Sequence, residues 1–464
     1  MRRPLRVAVV GAGPSGMYAS GHLLEGPGGT FLDGCLQSLV NRPVEVDVFE
    51  RLPMPFGLLR YGVAPDHQDK KRLERVFEGI AARKGFRLFA NVELGKHVQA
   101  EELAVWYDAV IHAVGASGDK PLGIPGESLD GALSAREFVL WYNGHPDLRE
   151  RRVDLSRERV VVVGNGNVAL DVARILCLPV RLLAKTDIAD HALSALSASA
   201  VREVVILGRR GVQDAAFSNA ELEELCDLPD VDVLVDDHNI DWDTVIASAA
   251  GDSVAHRKVS TLRALAKRPI QDHPRRLVFR FMTSPVALRG EGRVEGVDVE
   301  CHGQERPNQV DAGAQREFLS AGMVLRAVGF RGVRVPGLPF DDARGVLEHA
   351  DGRVLRDGKP WPGQYVTGWA RRGPRGILGT NKKCARDVVR TLLADADAGR
   401  LPEADTLSAQ EVEARIRRRQ PAFVDRRQWL RMDALERWDS RAEGRPRVEN
   451  TTWTVDTSAV SPWG

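Results

Sequence analysis

Two glycine-rich turns hold the residues whose spacing suits chemistry. Gly11, Gly13 and Gly16 follow the run Val7-Ala8-Val9-Val10, and Gly164 and Gly166 follow Val160-Val161-Val162-Val163. A helix-like segment comes next in each case, the context that a dinucleotide-binding turn requires. The first glycine lets the chain turn sharply out of the strand, the second keeps a Cβ away from a pyrophosphate, and the third lets helix close on strand. The pyrophosphate then rests on free N–H groups at the positive end of the helix. Ala169 takes the third-glycine position of the second turn, a replacement the motif tolerates. One such turn is also compatible with a tight connection that binds nothing. Two point to two dinucleotides on one chain, with electrons passing between them.

Residues beyond each turn separate the ligands. The strand-like run Val44–Phe49 ends at Glu50, whose carboxylate suits a ribose diol without a 2′-phosphate, as in FAD or NAD. The run Val204–Gly208 leads instead into Arg209 and Arg210, two guanidiniums suited to the 2′-phosphate of NADP. Both intervals exceed the roughly 20 residues of the simple motif. Inserted loops are therefore expected around Pro27-Gly28-Gly29 and Asp33-Gly34, and between Ala184 and Ala200. Without the upstream turn, Arg209-Arg210 also reads as a solvated basic pair.

The elements that must position these turns follow from the rest of the chain. With 464 residues and 43% hydrophobic content, two or three domains with substantial cores are expected. Tyr107–Gly115 reads as a buried strand ending in glycine, and Ala321–Gly329 repeats that signature after the second nucleotide region. The pair brackets an insertion. The expected fold is α/β with two Rossmann-like domains, the NADP domain (118–330) inserted into the FAD domain (1–117 and 331–464). A net charge of +1 gives no general bias toward nucleic acid or an anionic membrane. No stretch is apolar for the ~18 residues that span a bilayer, and Met1-Arg2-Arg3-Pro4 leads straight into the first strand, so a cytoplasmic protein is expected. The five cysteines form no C-x-x-C pair, which argues against a redox dithiol, an iron–sulfur centre or another metal site. Electrons must then leave through an external acceptor.

Longer strings carry a family likeness: Gly11-Ala12-Gly13-Pro14-Ser15-Gly16, Pro55–His67, Gly164–Arg174, Gly208-Arg209-Arg210-Gly211 and Gly368–Pro374. From about Leu5 to about Arg447 the chain resembles the ferredoxin/adrenodoxin–NADP reductases of the glutathione-reductase-like class. The resemblance implies a flavoprotein that takes hydride from NADPH onto FAD and hands single electrons to a ferredoxin, and it admits a cytochrome P450 downstream. By the same resemblance Ser15, Glu50, Leu58 and Leu94 contact FAD, while Trp369 and the Gly376-Ile377-Leu378 backbone lie along the isoalloxazine. For NADP it implies Asn165, Gly166, Asn167 and Val168 at the pyrophosphate, Arg209 and Arg210 at the 2′-phosphate, Glu221 near the ribose and Gly376 near the nicotinamide. Lys120 aligns with a cationic position near the cofactor. His67 and Glu224 would be the catalytic polar residues nearest the nicotinamide.

Departures are modest. Gln68 stands where a proline usually follows the histidine, and Val212-Gln213-Asp214 replaces Pro-Leu-Gln. Arg371, Arg372 and Arg375, or Arg275 with Arg276, are candidates for docking an acidic ferredoxin. Two other readings stay open: an NADPH-dependent flavin monooxygenase, and a non-catalytic FAD/NADP-binding redox subunit.

Overall fold

The computed structural model describes residues 3–25, 43–302, 315–376, 378–402 and 407–448. Ile377, Cys35, Pro27-Gly28-Gly29 and Asp33-Gly34 lie outside the described residues. Valine-rich runs become central strands of parallel sheets, where both faces are covered and near-continuous apolar sequence is required. Every residue of Leu5–Val10 is buried, as are Val160 to Val163 of the strand Arg159–Val163.

Among the described residues, one seven-stranded sheet runs in the order His349–Ala350, Arg353–Arg356, Lys359–Val366, Ala109–His112, Leu5–Val10, Val44–Glu50, Phe86–Ala90. The second has six strands, all parallel: Ala132–Ser134, Met323–Arg326, Arg159–Val163, Glu203–Leu207, Arg275–Arg280, Val231–Asp236. All strands of the second sheet fall in sequence between Ala109–His112 and His349–Ala350 of the first, so one Rossmann-like unit is inserted into the other. Gly118–Asp119 pairs antiparallel with Phe330–Arg331, and the chain crosses between units through this short ribbon.

The two strand–glycine signatures take equivalent places. Ala109–His112 lies parallel to Leu5–Val10, and Met323–Arg326 lies parallel to Arg159–Val163. Each strand is shorter than the run predicts, because Gly115 (φ 74°) and Gly329 (φ 107°) turn the chain out of the sheet. The segment between Ala184 and Ala200, expected as a loop, contains the helix Asp190–Ser197. Ala192 and Leu196, four residues apart, bury one face of it in the core of the inserted unit.

A polar seam ties the units together. Arg174 donates to Asp66 at 2.6 and 3.1 Å and to Asp171 at 2.7 Å, and Lys71 Nζ lies 2.7 Å from Asp187. Gln68 donates to Asp187 Oδ1 at 2.9 Å and to the Pro65 carbonyl at 2.8 Å, bonds that proline could not make. Burial alone would raise the Asp66 pKa, but Arg174 outweighs it and holds the carboxyl below its ordinary value. This contribution is therefore present at neutral pH and lost as pH falls through the depressed folded-state value. Arg174→Ala strands Asp66 and Asp171, and should lower stability by about 3–5 kcal/mol. Urea unfolding checks this; a loss below about 1 kcal/mol would show that the seam is not structural.

Candidate functional site

The first turn has the geometry a diphosphate needs. Gly11 sits at φ 104°, and a Cβ there would lie 2.5 Å from the Ala113 carbonyl oxygen. At Gly16 a Cβ would meet the Gly11 oxygen at 1.9 Å, so helix Pro14–Leu24 closes on the strand only without a side chain. Gly13 differs: a Cβ there meets nothing within 4 Å, so the space in front of it is open. It is also the N-cap of that helix and supplies no side-chain cap, which leaves backbone N–H groups free for an anion.

Glu50, ending the adjacent strand, accepts from the Ala12 N–H at 2.8 Å and the Leu52 N–H at 2.9 Å. Burial raises its pKa, and these bonds with the Arg51 charge only partly offset that. The carboxylate is held rigid with lone pairs left to receive a diol. The cradle therefore fits an FAD-type dinucleotide.

The second turn repeats the geometry. Gly164 (φ 114°) would place a Cβ 2.4 Å from the Ala327 oxygen, Gly166 faces open space, and helix Asn167–Cys177 again has no side-chain cap. Ala113 and Ala327 thus play one part twice, each from its own strand–glycine signature. A cavity of about 940 Å³ opens here, lined by Asn165, Gly166, Asn167 and Val168, by Lys120, Arg209 and Arg210, and, from the return of the chain to the first unit, by Trp369 and Gly376. Arg209 and Arg210 are exposed, and their guanidiniums pair with no carboxylate among the described residues. That is the state expected of groups waiting for a phosphate.

Around this returning segment, Ser15 donates to Asn381 Oδ1 at 2.9 Å, and Arg372 donates to the same oxygen at 2.8 Å. This joins the first helix to Leu378–Asp397 and to the short helix Trp369–Arg372. Gly376 (φ 88°) leaves no room for a Cβ, which would fall 2.6 Å from Thr380 Oγ1. The Trp369 Nε1 is buried without a hydrogen-bond partner among the described residues, and Phe330 of the crossing ribbon lies against the Trp369 ring, the centroids 5.4 Å apart. Leu378 opens its helix, while Leu58 and Leu94 are half-buried beside the cores of the first unit. Ile377 is outside the described residues. Asn381 and Phe330 escaped sequence reasoning because neither belongs to a motif.

His67 and Glu224 come together from different units, Nε2 to Oε2 at 2.8 Å. Lys70 Nζ sits 3.1 Å from His67 Nδ1. An ammonium only donates, so Nδ1 accepts and Nε2 carries the proton shared with Glu224. Glu221, on the same helix Asn219–Cys226, takes a bond from Lys70 at 2.6 Å. None of these three lines the cavity of about 940 Å³; they lie at the polar seam between the units. His67, Asp171 and Glu221 bring ligand atoms within 4.8 Å of one another, but Lys70 and Arg174 already neutralise the two acids. A metal ion would have to displace both cations.

The docking candidates divide. Arg371, Arg372 and Arg375 surround the Trp369 end, whereas Arg275 and Arg276 begin a parallel strand, at the edge away from the nucleotide turns. Arg275 is spent on the carbonyls of Cys177 and Leu178.

Residues 5–222 match the family model "Pyridine nucleotide-disulphide oxidoreductase". The NADPH-ferredoxin reductase FprA of Mycobacterium tuberculosis is 44% identical over 459 residues, covering 96% of this chain and 97% of that one. The mitochondrial NADPH:adrenodoxin oxidoreductase of Arabidopsis thaliana is 37% identical, covering 97% and 94%. A solved structure of M. tuberculosis FprA in complex with NADPH superposes with a TM-score of 0.88 at 43% identity, over 98% of this chain and 99% of that one. With both nucleotide turns, the inserted second unit and the likeness over nearly the full length, the chain belongs to the family of NADPH-ferredoxin and NADPH:adrenodoxin reductases.

Proposed function

We propose that this chain is an FAD-dependent NADPH–ferredoxin reductase. The observation that carries the reading is a cavity of about 940 Å³ lined both by the Arg209-Arg210 pair, unpaired among the described residues, and by Trp369 and Gly376. The arginine pair suits the 2′-phosphate of NADP, and Trp369 with Gly376 marks the face where the family holds its flavin. Bound FAD would convert the two-electron donor NADPH into a source of single electrons for an iron–sulfur protein. The protein's own part is to hold the groups in near-contact. Gly13 and Gly166 receive the diphosphates, Glu50 the adenosine ribose and Arg209 with Arg210 the 2′-phosphate. His67 and Glu224 hold a proton at Nε2 beside the seam.

The FAD domain comprises residues 1–117 and 331–464 and the NADP domain 118–330, a division supported by the ribbon Gly118–Asp119 with Phe330–Arg331. Ferredoxin docks at the Trp369 end, where Arg371, Arg372 and Arg375 supply positive charge, and the family resemblance admits a cytochrome P450 or another pathway as the downstream acceptor. Among the described residues no helix is long and apolar enough to cross a membrane, which agrees with a cytoplasmic site of action. The test is a flavin spectrum followed by NADPH-driven reduction of a ferredoxin in the absence of any organic substrate. Yellow protein and rapid ferredoxin reduction are expected. NADPH oxidation that requires an organic substrate and leaves ferredoxin oxidised would overturn the reading.

A further inference from the structure

We infer that Arg136, outside every recognised nucleotide motif, is a binding residue for the NADP diphosphate. The inference rests on the NADP reading of the cavity of about 940 Å³ and adds a residue to it.

Arg136 is the second residue of helix Ala135–Tyr142, capped by Ser134, whose Oγ accepts from the Arg136 N–H. The helix starts where strand Ala132–Ser134 ends, at the carboxyl edge of the second sheet, and Ser134, Ala135 and Arg136 all line the cavity. Its guanidinium is half-buried and makes no hydrogen bond or ion pair with any described residue. Burial depresses its pKa by more than the charges of Asp119 and Glu137 restore, and Arg51 from the first unit adds repulsion.

Each acid whose charge reaches Arg136 makes its hydrogen bonds to another partner. Asp119 takes Arg326 NH2 at 3.1 Å, and Glu137 accepts the Ser134 N–H at 2.9 Å in the capping box. Asp147 is paired with Arg51 at 2.9 Å. A partly desolvated cation with no partner is unfavourable unless an anion completes it. The positive end of its own helix reinforces the demand for negative charge. Arg136 shares the cavity with Arg209 and Arg210, which on that reading take the 2′-phosphate, so the anion it meets is a second one. Gly166 and the uncapped start of helix Asn167–Cys177 line the same cavity and suit a diphosphate, which is therefore the second anion.

Lys120 lines the same wall and is also without an ion pair among the described residues. Arg136 differs from it in burial. An exposed lysine is satisfied by water, and a half-buried guanidinium much less so.

The test uses holoprotein and equilibrium binding of two probes by calorimetry: NADP⁺, and adenosine 2′-monophosphate, which has the 2′-phosphate and no diphosphate. Arg136→Ala should raise the Kd for NADP⁺ by about 10-fold or more, the size of one charge-assisted contact. Adenosine 2′-monophosphate binding should stay within about two-fold of wild type. Arg136→Lys should recover part of the NADP⁺ affinity. An unchanged NADP⁺ Kd in Arg136→Ala would overturn the inference and leave the proposed function standing. Equal weakening of both probes would also overturn it, since only a general distortion of the cavity acts that way. Release of FAD on gel filtration with NADP⁺ affinity intact would assign Arg136 to the flavin diphosphate instead. Wild-type protein that binds no NADP⁺ would defeat the NADP reading itself.

Discussion

Replacing Arg209 and Arg210 together by alanine should raise the Kd for NADPH by about 100-fold or more and leave NADH binding within about two-fold. The magnitude follows from two charge-assisted contacts to a phosphate dianion, each on the order of 1.5–3 kcal/mol. Both side chains are exposed and neither is tied to a carboxylate among the described residues. Their removal therefore breaks no internal ion pair and should not lower stability beyond about 0.5 kcal/mol. Titration of the oxidised protein with each nucleotide, alongside thermal unfolding, separates the effects. Equal weakening of NADPH and NADH would mean that this pair does not read the 2′-phosphate.

Gly13→Val should yield a folded, colourless protein. Gly13 sits at φ −71° and ψ −179°, which any residue adopts, and its Cβ direction points into open space. The fold has no reason to reject a side chain there, whereas a diphosphate lying against the turn does. Crowding of this kind costs about 1–3 kcal/mol or more, so flavin affinity should fall by at least about 10- to 100-fold. Gly16→Ala makes the contrast. Its Cβ would lie 1.9 Å from the Gly11 oxygen, so the helix itself must move, and stability and flavin should be lost together. Flavin absorbance measured beside far-UV circular dichroism distinguishes them. A Gly13→Val variant that keeps its full flavin complement would remove the first turn from the cofactor site.

The motifs were legible because their information is local. A glycine needed for a left-handed turn, as at Gly11 and Gly164, must stand at that position whatever surrounds it. The same holds for Glu50 and Arg209-Arg210 at their strand ends, and for the doubled strand–glycine signature that betrayed the insertion. The helix Asp190–Ser197 was missed for the opposite reason. Its few buried residues, Ala192 and Leu196, are a weak periodic signal that becomes meaningful only against the core it covers.

What lay beyond the sequence was juxtaposition. His67 and Glu224 are 157 residues apart, and Ser15 and Asn381 are 366 apart, yet both pairs meet within hydrogen-bonding distance. No local pattern encodes such distances, because the inserted unit and the return of the chain to the first sheet set them. Gln68 shows the same limit, since a departure from the family string becomes a bond to Asp187 only once the units are packed. Sequence alone determined the two nucleotide turns, the acid after one and the arginine pair after the other, and the nesting of the units, all carried by short segments with fixed backbone demands. Tertiary structure decided which charges remain unpaired in the shared cavity. Whether an arginine is free depends on the acids that packing has already assigned to other partners.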